Sequence, residues 1–166
     1  MPSQHQNNIA VYPGTFDPIT LGHLDIIQRA RKLFPTVIVA VTDNPEKNPF
    51  FSLEERIELA RQVCKNLKGV RVESFSGLLV DFLKKKKSNI IVRGLRELSD
   101  FEFEFQQAVM NRKMNAHVDT VFIMTDPRYF YVSSSMVRQI ALLKGSIQKF
   151  VPKSVRKAIL RKLGRI

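Results

Sequence analysis

The chain has 166 residues, 44% hydrophobic and 25% charged, with a net charge of +12. That size and balance describe a globular domain able to bury a core, and exclude a disordered chain. One cysteine, Cys64, excludes an internal disulfide, and with only His5, His23 and His117 beside it the soft ligands are too few for a structural zinc. No apolar run approaches the roughly 18 residues that cross a bilayer. Residues 1–8 are polar, lack the apolar centre of a signal peptide and are expected to form a flexible extension of a single cytoplasmic domain, 1–166. The charge suits a phosphate-rich partner. Much of it, however, lies in Lys84–Lys87 and in the tail Lys153–Arg165, where a helix end and a solvated amphipathic face account for it equally well.

The first apolar run, Ile9–Tyr12, reads as a strand. It leads through the turn-rich Pro13–Pro18 to Thr20-Leu21-Gly22-His23, which opens an amphipathic run from Leu24 to Leu33. A strand, a tight loop and a helix whose first turn carries Gly and His make a ready phosphate site, because unpaired amides and the positive helix end face the loop. Gly22 lets a ligand come close to the backbone, and His23 supplies a directed donor to an oxygen gaining charge. A capping threonine with a surface histidine fits the same four residues.

A second strand, Val37–Val41, leads into Asp43–Pro49 with Lys47. The helix Leu53–Leu67 is opened by Ser52 with Glu55 three residues on, a capping box, and its apolar face takes in Cys64 as a buried hydrophobe. Strand Val70–Glu73 precedes the apolar stretch Phe75–Leu79 and a short helix, Leu78–Lys86. Strand Ile90–Val92 runs into Arg93-Gly94-Leu95-Arg96, where a glycine between two arginines suggests close approach of a ligand to the backbone. The helix Phe101–Met114 places Glu104 and Asn111, seven apart, on one face. Strand Val121–Met124, the loop Tyr129–Ser135, a helix Met136–Leu143 stopping near Gly145 and a last helix from Pro152 complete the pattern.

Strand and helix alternate throughout, so the expected fold is α/β: a doubly wound parallel sheet with helices on both faces and a C-terminal helix. Ligands of such sheets bind beyond the carboxyl ends of the strands. There the loops gather Thr15, His23, Lys47, Arg93, Arg96 and Ser133-Ser134-Ser135, several cations and helix starts with no facing carboxylate pair, which describes a polyphosphate site. Familiar alternatives fail: the chain has no Walker A sequence, no Gly-x-Gly-x-x-Gly after the first strand and no Gly-x-Ser-x-Gly elbow.

Tyr12–His23 resembles the opening of the bacterial phosphopantetheine adenylyltransferases, members of a nucleotidylyltransferase superfamily marked by a (His or Thr)-x-Gly-His motif. The likeness continues, in order and spacing, through Phe51–Arg56, Val92–Arg96, Asp100–Glu104, Met110–Arg112 and Val132–Arg138. It implies a Rossmann-like domain that transfers the adenylyl group of ATP to 4′-phosphopantetheine, giving dephospho-coenzyme A and pyrophosphate, the penultimate step of coenzyme A biosynthesis. It further implies His23 as the catalytic residue; Thr15, Lys47, Leu79 and Arg93 against phosphopantetheine; and Thr15, Phe16, His23, Gly94, Leu95, Arg96, Glu104, Tyr129, Phe130, Tyr131, Val132, Ser133, Ser134 and Ser135 against ATP. Mg²⁺ held mainly by phosphates and water, a homohexamer, and inhibition by coenzyme A belong to the same expectation. Neither a membrane nor nucleic acid is expected as a partner. Two other readings stand beside it: the same chemistry on another acceptor such as nicotinamide mononucleotide, and an RNA-binding module using the basic tail.

Overall fold

The computed structural model describes residues 9–43, 48–96 and 98–166; residues 1–8 and 44–47, and with them the expected ligand Lys47, lie outside these. The strands are β1 (Ile9–Gly14), β2 (Thr36–Thr42), β3 (Val70–Phe75), β4 (Ile90–Leu95) and β5 (Asp119–Met124). They form one parallel sheet in the order β3-β2-β1-β4-β5. The helices are α1 (Leu21–Leu33), α2 (Leu53–Cys64), α3 (Leu79–Lys85), α4 (Leu98–Met114), α5 (Ser134–Leu142) and α6 (Lys153–Lys162). No helix among the described residues is long and apolar enough to cross a membrane.

The central strands read as unbroken apolar runs because both faces are covered. Ala10, Tyr12, Val37, Val39, Ile90 and Val92 point into one layer with Ile26, Leu59, Val137 and Val155, while Val11, Ile38, Ala40 and Ile91 point into the other with Val80, Phe82 and Leu83. Cys64 is buried in the first layer, and burial pushes its thiol up to about 11.

Three helices begin before their apolar periodicity does, because their first turns are polar. Thr20 starts α1 with a capping box, Leu98 starts α4, and Ser133 caps α5. The end of α5 differs from expectation. The left-handed residue is Lys144, at φ 63°, and Gly145 is small for another reason: a Cβ there would lie 2.7 Å from Ile140 Cγ2.

The chain winds outward from β1 to β3, then crosses to β4 on the far side of β1. β1 pairs with β2 from Ile9 to Gly14, but with β4 only through Ala10–Ile90 and Val11–Ile91. Past those pairs the carboxyl-terminal halves of β1 and β4 separate. This is the switch point where a crevice belongs.

Candidate functional site

The crevice holds about 420 Å³ and gathers Thr15, Phe16, His23, Arg93, Gly94, Arg96, Glu104, Val132, Ser133, Ser134 and Ser135 from the expected set. A second lobe of about 290 Å³ shares Pro13, Gly14, Thr15, Arg93 and Glu104 with it, and adds Phe75, Leu79 and Asn111. Leu95, Tyr129, Phe130 and Tyr131 line neither lobe. The 3-10 turn Pro127–Tyr129 carries the chain outward, leaving Phe130 39% and Tyr131 63% exposed, with Tyr131 edge-on to Phe150.

His23 is half-buried and fixed from two sides. Phe16, in the left-handed region at φ 50°, sets its ring 5.0 Å from the imidazole, a strain typical of ligand loops. The Thr20 amide donates to His23 Nδ1 at 3.0 Å, and the Thr20 hydroxyl lies 3.1 Å from the same nitrogen. A backbone N–H can only donate, so Nδ1 is the acceptor and the ring proton sits on Nε2. Burial first, then the charges of Arg96 and Arg93, push the imidazole down from 6.5 to about 4. The ring is therefore a neutral donor at neutral pH, aimed by its own helix cap.

The arginines are not the bare cations that the loop composition suggests. Arg93 Nε and Nη2 bind both oxygens of Glu104, at 2.6 and 2.5 Å, and Nη1 donates to Pro13 O at 2.7 Å, bridging the gap between β4 and β1. Burial opposes the Arg93 charge, but the bonds and charge of Glu104 outweigh it and raise the guanidinium pKa. Arg96 is held by Asp100 at 3.0 and 3.2 Å, and reaches Val132 O. The expected site has no facing carboxylate pair; the crevice does contain carboxylates, each already engaged.

Each of the three serines has a different partner. Ser133 caps the Met136 amide at 3.1 Å, Ser134 Oγ donates to Pro18 O at 2.8 Å, and Ser135 Oγ accepts from Arg138 at 3.4 Å. The Ser134, Ser135 and Gly22 amides keep no internal acceptor among the described residues, which leaves two helix starts open to an anion. Gly94 lines the crevice, yet the space of its missing Cβ is taken by Ile26 of α1, 2.9 Å away. Helix packing alone is enough to require that glycine.

Sequence reasoning passed over three residues that shape the crevice. Asp17 accepts from the Phe50 and Phe51 amides at 2.7 and 2.8 Å, and Arg138 donates to Asp17 O. Tyr12 is buried beside Arg93 and Glu104, and burial pushes its phenol up. The Phe-Asp-Pro turn was a usable signal for Asp17; for the other two none exists in the local pattern. Among the described residues no group of three or more His, Cys, Asp or Glu is arranged to hold a metal.

The cytidylyltransferase-like family matches residues 11–140. A phosphopantetheine adenylyltransferase of Clostridium novyi is 49% identical over 95% of this chain and 98% of its own. The phosphopantetheine adenylyltransferase of Caldanaerobacter subterraneus is 50% identical over 93% of this chain and 96% of its own. A solved structure from Vibrio parahaemolyticus, described as a nicotinate-nucleotide adenylyltransferase, covers 92% of this chain and 97% of its own with a TM-score of 0.66. At 18% identity that likeness concerns the fold alone.

Proposed function

The chain belongs to the cytidylyltransferase-like family and within it to the phosphopantetheine adenylyltransferases, and from that premise we propose that it transfers the adenylyl group of ATP to 4′-phosphopantetheine. The observation that carries the reading is the two-lobed crevice. A polar lobe with His23 and two open helix starts shares one wall, Thr15 and Arg93, with a lobe bearing Phe75 and Leu79. Two anions that repel one another need such a shared, donor-rich wall, and a thin apolar arm needs the second lobe.

The acceptor phosphate is nucleophilic at neutral pH, so it attacks the α-phosphorus in line and pyrophosphate leaves, with no covalent intermediate. His23 Nε2–H donates to the α-phosphate oxygens as charge builds on them. The Ser134 and Ser135 amides and Arg96 hold the leaving phosphates, and Arg93 and Lys47 hold the acceptor. Mg²⁺ supplies charge neutralisation on the triphosphate. The carboxylates here are engaged by Arg93, Arg96 and backbone amides, so a bound Mg²⁺ would be held by phosphate oxygens and water rather than by these side chains.

Coenzyme A carries both an adenine nucleotide and a pantetheine arm, which suits it to span the two lobes as an inhibitor. A homohexamer has an apolar surface to use: Phe101, Phe105, Val109 and Met110 on α4 and Met124 on the edge strand β5 are all exposed. Sedimentation of the wild type reads that assembly directly. The cytoplasm, which holds ATP, is the proposed location. The deciding experiment is pyrophosphate release with ATP plus phosphopantetheine, nicotinamide mononucleotide or no acceptor. Release with phosphopantetheine alone supports the proposal, and equal release with all three refutes it.

A further inference from the structure

Arg56, at 1% exposure, heads the fully enclosed side chains, and among the described residues no carboxylate pairs with it. A buried charge is costly unless its donors are satisfied. Here the donors go to three carbonyls: Nε to Phe51 O at 3.2 Å, Nη1 to Thr15 O at 2.7 Å and to Thr42 O at 2.9 Å. These belong to three separate segments. Thr15 lies in the wall common to both lobes, Thr42 lines the smaller lobe, and Phe51 immediately precedes α2. Asp17 grips the same stretch before α2 from the opposite side, through the Phe50 and Phe51 amides.

Apolar replacements of buried ionic groups often stabilise a fold as well or better, so stability alone gives little reason for an arginine here. Its planar fork is suited to joining several acceptors in fixed directions, which a lysine ammonium is not. We infer that Arg56 is a positioning residue for the phosphate acceptor, setting Thr42, which lines the smaller lobe alone, against Thr15 in the wall common to both. It makes no hydrogen bond to His23, Arg96 or Ser133–Ser135 on the nucleotide side. The inference rests on the acceptor assignment proposed above.

The test compares wild type, Arg56→Lys, Arg56→Gln and Leu59→Ala by pyrophosphate release, varying ATP and phosphopantetheine separately. Leu59 is a buried core residue of the same helix that lines neither lobe. Arg56→Lys is expected to raise the phosphopantetheine KM at least about tenfold and to move the ATP KM less than about threefold, with Arg56→Gln worse. Leu59→Ala is expected to lower Tm while leaving both KM values in place. Equal changes in the two KM values, or an unchanged acceptor KM in Arg56→Lys, overturn the inference while the adenylyl transfer stands. No turnover of phosphopantetheine by the wild type overturns the acceptor reading and this inference together. Should Arg56→Lys fail to fold, Arg56→Gln is read by the same two KM values; failure of both to fold while Leu59→Ala folds overturns the inference, since the arginine then serves the fold itself.

Discussion

Replacing His23 with glutamine isolates a pH effect that the geometry makes quantitative. The folded protein holds the imidazole near 4 against 6.5 for an unhindered ring, so the unfolded chain binds the proton more readily at every pH between those values. Stability attached to this group is therefore complete above about pH 6.5 and is lost as pH falls towards 4. With these two values, linkage gives a loss of about 2 kcal/mol between pH 7 and pH 5. Asp126, Glu54 and Glu55 also have lowered pKa values, but their losses begin from the carboxylate range, below that window. His23→Gln keeps the capping box, since Thr with Gln three residues on is a regular pairing, and removes the titration. Urea unfolding at pH 7 and pH 5 should show the wild type losing about 2 kcal/mol more than the variant. Ring nitrogen shifts in the free wild type should report a proton on Nε2 and no midpoint above about pH 5. Equal pH dependence in both proteins, or a ring midpoint near 6.5, would refute the account of His23 as a neutral donor.

His23→Ala should lower turnover by at least about 10² with the ATP KM within several-fold, because the lost donor acts on charge present only in the transition state; steady-state kinetics near wild type would remove its catalytic role. Glu104→Gln leaves the half-buried Arg93 fork facing an amide, and because Arg93 is 29% exposed the loss falls below the roughly 3–5 kcal/mol of fully buried pairs, to about 2–3 kcal/mol, or a Tm lower by about 5–10 °C in calorimetry. A shift under about 1 °C would show the pair to be decorative. Gly94→Ala should cost about 1–3 kcal/mol by driving a Cβ to 2.9 Å from Ile26 Cγ1, and in an Ile26→Ala background that cost should largely vanish; strict additivity in the double-mutant cycle would contradict the packing explanation.

The fold was legible because its signals are local. Val37–Val41 and Ile90–Val92 read as strands covered on both sides, and the capping box at Ser52 and Glu55 marked the start of α2. The position of the crevice followed from the alternation of strand and helix, before any side chain was placed. What sequence spacing does not carry is the partner of a charge. Arg96 and Asp100 stand four apart and could have been paired by helical spacing, but Arg93 meets Glu104 only through the way α4 lies against β4. Likewise Gly94 is explained by Ile26, a residue 68 positions earlier that only the packing of α1 brings near.

The difference matters for recognition. A crevice of loose cations would attract any polyanion. Guanidiniums already gripped by Glu104 and Asp100 retain directed N–H groups but little uncompensated charge. A phosphate must then match their fixed orientation, together with the open amides of Ser134, Ser135 and Gly22, to displace or share those bonds. Selectivity between two phosphorylated substrates in adjoining lobes comes more readily from such directed donors than from net charge. The +12 of the whole chain, much of it on Lys84–Lys87 and the α6 tail, therefore says little about the chemistry in the crevice.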